Sequence, residues 1–222
     1  MVRLKFSNSN IGCYQIVEAS NKKRYVVDSS SINSKGTVWG FWPEKITVTG
    51  YEIDKNNVQF DVRKKPLDIS TTSLVIAMQP ISAGLYFFLK NTFITLEVSQ
   101  QWLLKLSLYL FTIIFAYIFV TISLFLSHKK AMRKLGSNLS KYTFIFKPKS
   151  KRDYTGYICF GMNAILFLIF LYLNDGAEVI ILILNGIIAL LSFMLTTSAI
   201  PVGYYVNSGM IELVSIREKE GG

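Results

Sequence analysis

The side chains best suited to specific interaction sit inside apolar runs. In the run Val179 to Ile200, Asn185, Ala189, Ser192 and Thr196 follow steps of four, three and four, which places them on one helix face. Amide, hydroxyl and small side chains let helices approach closely and hydrogen-bond in an apolar solvent. Such a stripe either packs a helix bundle internally or receives a helix from a partner. Thr112, Ala116, Ser123 and Ser127 form a weaker stripe of the same kind, and Asn163 and Gln79 are single amides. Little else offers chemistry. The single histidine, His128, stands beside Lys129 and Lys130 and reads as a solvated flank. Cys13 and Cys159 are far apart, with neither zinc-ligand spacing nor a redox pair. There is no Gly-x-x-x-x-Gly-Lys phosphate loop, no nucleophile paired with a base and no metal constellation. No carboxylate lies inside an apolar run, where proton-coupled carriers place one. The expectation is a chain that binds: no catalytic residues, no cofactor and no metal.

These residues need elements to hold them, and the composition says which. Of 222 residues 51% are hydrophobic and 17% charged, against about a quarter charged in soluble domains. Residues 1 to 70 hold 18 charges and residues 71 to 222 only 20, with none from Leu106 to Ser127. This excludes a purely soluble enzyme, a disordered chain and a disulfide scaffold. Four apolar runs follow the charged segment: 72–89, 106–126, 157–173 and 179–200. A helix needs about 20 residues to cross the hydrocarbon core. The second and fourth runs cross comfortably. The first, which carries Gln79, Pro80 and Gly84, and the third, of 17 residues, are short.

Charge orients these runs. Nine Lys or Arg and one acid, Asp153, fall between His128 and Gly156, and eleven bases precede the first run. Asn91 to Trp102 carries one charge, Glu97, and the turn Asn174 to Glu178 carries Asp175 and Glu178 but no base. Basic segments stay in the cytoplasm. The expectation is therefore four spans, both termini and loop 128–156 cytoplasmic, and Glu97 and Asp175 outside. Lys129, Lys130, Arg133 and Lys134 extend from the second span where anionic lipid would meet them. The net charge of +10 is thus assigned to membrane lipid and not to nucleic acid.

Residues 1–70 read as a small β-rich domain. Met1 to Phe6 is basic and Ser7 to Gly12 polar, so no signal peptide is expected. Cys13 to Val17 and Arg24 to Val27 suggest one hairpin, Lys45 to Ile53 and Val58 to Val62 another, with a bulge at Gly50. Trp39-Gly40-Phe41-Trp42-Pro43 suits either a membrane interface or the core of this domain. In the tail, 202–222, Tyr204 to Val206 and Met210 to Ile216 suggest a C-terminal hairpin that could join the N-terminal strands. The fold class expected is mainly α: a polytopic membrane protein with four spans over 71–201, a small cytoplasmic β-containing domain and a C-terminal β-hairpin.

The order of parts, with Tyr14-Gln15-Ile16-Val17, Tyr25-Val26-Val27-Asp28 and Trp39-Gly40-Phe41-Trp42-Pro43-Glu44-Lys45, resembles the tandem five-transmembrane proteins of low-GC Gram-positive bacteria. The chain departs from them at Ser29 to Thr37, too polar to cross where members carry an apolar run. The resemblance implies a cell-membrane immunity protein that neutralises a depolarising or pore-forming toxin, of the kind exported by type VII secretion. It implies a cognate protein toxin as partner and leaves room for a homo-oligomer. Asn185, Ala189, Ser192, Thr196, Glu97 and Asp175 are the residues expected to meet that partner. The alternative is a non-catalytic membrane subunit of a transporter or secretion complex.

Overall fold

A computed structural model describes residues 4–20, 23–33, 37–41, 43–62, 71–136, 140–149, 151–196 and 201–218, with the side chains of residues 37 and 71–82 outside that description. Trp42 and residues 197–200 lie outside the described residues. The elements run β1 (Leu4–Asn8), β2 (Tyr14–Ala19), β3 (Arg24–Asp28), β4 (Ile46–Ile53), α1 (Thr71–Thr95), α2 (Trp102–Leu135), β5 (Lys141–Pro148), α3 (Thr155–Tyr172), α4 (Glu178–Thr196), α5 (Val202–Asn207) and β6 (Ile211–Glu218). Short 3-10 turns at Ser29–Ser31, Thr37–Trp39 and Val98–Gln100 link them.

The expected fold class is corrected here. The chain is not mainly α with separate β pieces. It is 54% helix and 23% strand, and every strand among the described residues belongs to one six-stranded antiparallel sheet ordered β1-β2-β3-β4-β5-β6. The β2–β3 hairpin is present, pairing Tyr14 with Asp28 through Glu18 with Arg24. Val58 to Val62 is not a strand. Its one ladder contact is an isolated bridge, Ser9 to Asp61, because β4 already pairs with β3 on one edge and β5 on the other. The tail is not a hairpin either. Val202 to Asn207 is helix α5, and β6 pairs with β5.

Two faces of the sheet are covered, which explains the pattern read as a bulge at Gly50. Ile46 and Val48 point to one core with Val17, Tyr25, Val27, Phe144 and Phe146, and Val202 and Tyr205 of α5 close it. Tyr51 and Ile53 point to the other, with Ile16, Val26, Phe60 and Ala131 and Leu135 from the end of α2. Strand β4 runs unbroken through Gly50, and the register shift falls between Ile145 and Phe146 of β5. Trp39 packs against the first core and stacks edge-on with Tyr157, ring centroids 5.0 Å apart, while Phe41 is exposed. The amides at the start of α5 are taken up by side chains of β2 and of the turn after β3: Gly203 N–H donates to Gln15 Oε1 at 2.8 Å and Val202 N–H to Ser29 Oγ at 3.3 Å.

Three helices among the described residues are long and apolar enough to cross a membrane: α2, α3 and α4. Only 11%, 11% and 17% of their most apolar stretches are buried within the protein. The rest, including Phe111, Phe115, Ile118 and Leu168, faces outward, which water would not tolerate over this area and lipid does. The chain is a membrane protein. The four spans expected are therefore not found: the first, 72–89, falls on α1, which is not one of these three, and whose side chains up to residue 82 lie outside the described residues.

The chain divides into two compact units. One holds Met1–Arg63, Val120–Ile158 and Ser192–Gly222, the other Lys64–Phe119 and Cys159–Leu191.

Candidate functional site

In the second unit, the polar stripe of α4 is anchored inside the protein. Asn185 is fully buried and Ala189 nearly so. The Asn185 amide donates from Nδ2 to Thr112 Oγ1 at 2.7 Å, and that hydroxyl donates onward to the Tyr109 carbonyl at 2.8 Å. The stripes read separately on two runs therefore meet as one α2–α4 contact. Asn185 Oδ1, buried, has no hydrogen-bond partner among the described residues. Thr196, in the first unit, bonds back to the Ser192 and Phe193 carbonyls, a local use common in apolar helices. Beside the Thr112 contact lies an apolar groove of about 330 Å³ between α2 and α4, lined among others by Phe111, Phe115, Ala116, Gly186 and Ile187. A Cβ added to Gly186 would meet nothing within 4 Å.

A buried ion pair closes one end of this unit. Lys105 is 2% and Glu178 0% exposed, with Nζ to Oε1 at 3.4 Å. Lys105 Nζ also donates to the Leu173 carbonyl at 2.5 Å, the Leu171 carbonyl at 3.4 Å and Asn174 Oδ1 at 3.2 Å. It thus caps the unsatisfied carbonyls at the end of α3, where the helix dipole favours a cation, while Glu178 opens α4, where it favours an anion. By sequence Glu178 falls in the turn Asn174 to Glu178, and Lys105 immediately precedes the apolar run 106–126. The signal for their meeting was the helix-end position of each. Asp175 is exposed, and its carboxylate accepts the Ala177 amide at 3.0 Å. Glu97 is exposed too, at φ 50°.

The first unit holds a polar cluster that the sequence reading missed. His128 is not a solvated flank. Its Nδ1 lies 2.9 Å from Tyr14 OH and its Nε2 2.9 Å from Ser30 Oγ. The Ser30 hydroxyl has one proton and gives it to Asp28 Oδ1 at 2.7 Å, so it accepts from Nε2–H. In the neutral ring this assigns the proton to Nε2 and leaves the Nδ1 lone pair facing Tyr14 and Asp28 Oδ2, the latter 3.5 Å away. Cys13 completes the group: its sulfur, an Asp28 oxygen and a His128 nitrogen lie within 4.8 Å of one another. Burial, then the Asp28 charge, pushes the Cys13 thiol up to about 11 and raises the Tyr14 phenol well above its ordinary range. A thiol held protonated at neutral pH is a poor nucleophile, so the cluster does not read as a cysteine–histidine catalytic pair.

Of the four basic residues expected at the lipid surface, Lys129, Lys130 and Arg133 are exposed. Lys134 instead holds the end of α2 to the N-terminal segment, donating to Asn10 Oδ1 at 2.8 Å and the Gln59 carbonyl at 2.7 Å, above the Phe60 ring. No protein-family model, curated protein or solved structure matches the chain.

Proposed function

We propose that the chain is a cell-membrane immunity protein, working by stoichiometric binding of a membrane-active toxin. The observation that carries this reading is the groove between α2 and α4, open at Gly186 and walled by Thr112, whose hydroxyl Asn185 holds. Small residues at such a groove let a further helix come close, and helix association in lipid depends on that packing. Asn185 and Ala189, being buried, shape the groove from behind. The exposed acids Glu97 and Asp175 offer the first contact for a toxin arriving from outside. Gly186→Leu is expected to fill the groove, accumulate normally and lose protection. Gly161→Leu, at an equally open glycine of α3, is expected to protect as wild type does. The measurement is membrane potential, read with a voltage-sensitive dye, in cells expressing a membrane-depolarising toxin together with this protein. Full protection by Gly186→Leu would remove the groove as the binding site. Depolarisation unchanged even by the wild-type protein would favour a transporter or secretion subunit, docked through Lys129, Lys130 and Arg133.

The same proposal places both terminal segments and loop 128–156 in the cytoplasm. The sheet supports this: β1 to β4, β5 and β6 are hydrogen-bonded neighbours, so the three segments that carry them lie on one side of the bilayer. Their excess of Lys and Arg makes that side the cytoplasm. With Cys13 and Cys159 replaced, Ala177→Cys is expected to react with an impermeant thiol reagent in intact cells. Lys147→Cys and Val214→Cys, both at exposed positions, are expected to react only after lysis. Labelling of Lys147→Cys in intact cells would reverse the assignment.

A further inference from the structure

The Cys13, Asp28 and His128 cluster has a use that no feature of the binding proposal requires. Three side chains from three elements converge: Cys13 from the turn before β2, Asp28 from the end of β3 and His128 from α2. Thiolate, carboxylate and imidazole are the three donor types that zinc takes in proteins. With metal–ligand bonds of about 2.0–2.3 Å, tetrahedral ligand atoms stand roughly 3.4–3.8 Å apart. His128 Nδ1 and Asp28 Oδ2 are already 3.5 Å apart. The sulfur lies within 4.8 Å of an Asp28 oxygen and a His128 nitrogen, so it has about 1 Å to close, a shift that small side-chain rotations supply.

The outer hydrogen bonds are those a histidine ligand requires. A metal-binding imidazole donates its other N–H, which fixes the tautomer and the ring plane. Here Nε2–H goes to Ser30 Oγ, and the Ser30 hydroxyl goes to Asp28 Oδ1, so one serine orients two of the three candidate ligands. The Ser30 amide adds a second bond to Asp28 Oδ1 at 2.9 Å. On the inward side, the Nδ1 lone pair faces the Tyr14 hydroxyl at 2.9 Å, and Asp28 Oδ2 lies 3.5 Å from the same nitrogen. Cys13 and Asp28 are buried, and the His128 side chain is 38% exposed, which leaves an entry path and a fourth position for water.

We propose that Cys13, Asp28 and His128 form a binding site for one zinc-type divalent cation, with Ser30 as its orienting residue. Binding replaces the Cys13 S–H bond by a sulfur–metal bond and releases that proton to solvent. Asp28 enters as carboxylate and His128 as neutral imidazole, so one proton leaves per cation. The bound ion ties the cytoplasmic-side end of α2 to the strands β2 and β3.

The test uses the full chain in detergent, freed of metal by chelation and titrated with Zn²⁺ and, separately, with Co²⁺. One Zn²⁺ per chain is expected, with release of about one proton. Co²⁺ is expected to give a thiolate-to-cobalt charge-transfer band in the near ultraviolet. Cys13→Ser should lose that band, and Cys159→Ser should keep it. His128→Gln should weaken Zn²⁺ binding by at least the roughly 10–100-fold expected for Ser30→Ala, which leaves all three ligands in place. Absence of one-to-one binding by the wild-type chain would overturn the proposal, and that result depends on no variant folding correctly. So would a cobalt complex without the thiolate band, or a band that survives Cys13→Ser and vanishes in Cys159→Ser.

Discussion

Replacing Lys105 by Met is expected to destabilise the protein by about 3–5 kcal/mol, the range for removing one partner of a buried ion pair. The cost comes from what is left behind. Glu178 is fully buried, its Oε2 has no hydrogen-bond partner among the described residues, and its Oε1 is held by Lys105. Without the ammonium, the carboxylate keeps no polar partner among the described residues, and the α3 carbonyls of Leu171 and Leu173 lose their cap as well. The reverse change is expected to cost less. In Glu178→Gln, Lys105 still donates to the Leu173 carbonyl, the Leu171 carbonyl and Asn174 Oδ1. The asymmetry is the point of the experiment: a simple pair would lose the same energy from either side. A Lys105→Met, Glu178→Leu double variant is expected to recover most of the loss, because an apolar pair carries no desolvation penalty. Denaturant unfolding in detergent micelles measures all three. Equal losses from Lys105→Met and Glu178→Gln would show that the capping bonds contribute nothing.

That ion pair marks the boundary of what the sequence made legible. Periodicity and length found α2, α3 and α4, since each is a local property of 18 or more consecutive residues. The β2–β3 hairpin was legible for the same reason: its strands are short β-prone runs a few residues apart. Strand β5 was not. Tyr142, Phe144 and Phe146 do alternate, but they lie in a Lys-rich segment whose bases dominate the reading, and their partners are Gly50, Val48 and Ile46 in β4 and Glu218, Ile216 and Leu213 in β6. Alternation says that a strand exists and is silent on which strand it joins. The same holds for the two polar clusters. His128 meets Tyr14 across 114 residues and Ser30 across 98, and Lys105 meets Glu178 across 73. A lone histidine in a basic run carries no local sign of such partners. The Asn185 stripe was found because a helix repeats at fixed spacing, yet its contact, Thr112, came only with the packing of α2 on α4.

The single sheet, as opposed to separate β pieces, makes the second large prediction. Phe144 is fully buried and stacks edge-on against Tyr25, ring centroids 5.3 Å apart. Across the ladder, a Cβ at Gly50 would stand 2.5 Å from Phe144 Cε2 and 3.2 Å from Val27 Cγ2. Gly50 is therefore required by a close approach, where its lack of a side chain admits the ring of a strand that enters the chain some 90 residues later. Phe144→Ala is expected to cost about 3–5 kcal/mol through the cavity it leaves. Gly50→Val is expected to cost about 1–3 kcal/mol, because the ring is wedged by Tyr25 and cannot retreat. Combined, the two changes should cost less than their sum by roughly 1–3 kcal/mol, since the valine enters the space that the ring vacates. Residues in two independent β pieces would add without coupling. A non-additivity of this size, measured by unfolding all three variants in detergent, requires β4 and β5 to be neighbours, and with them the N-terminal segment and the loop between α2 and α3 to share one core.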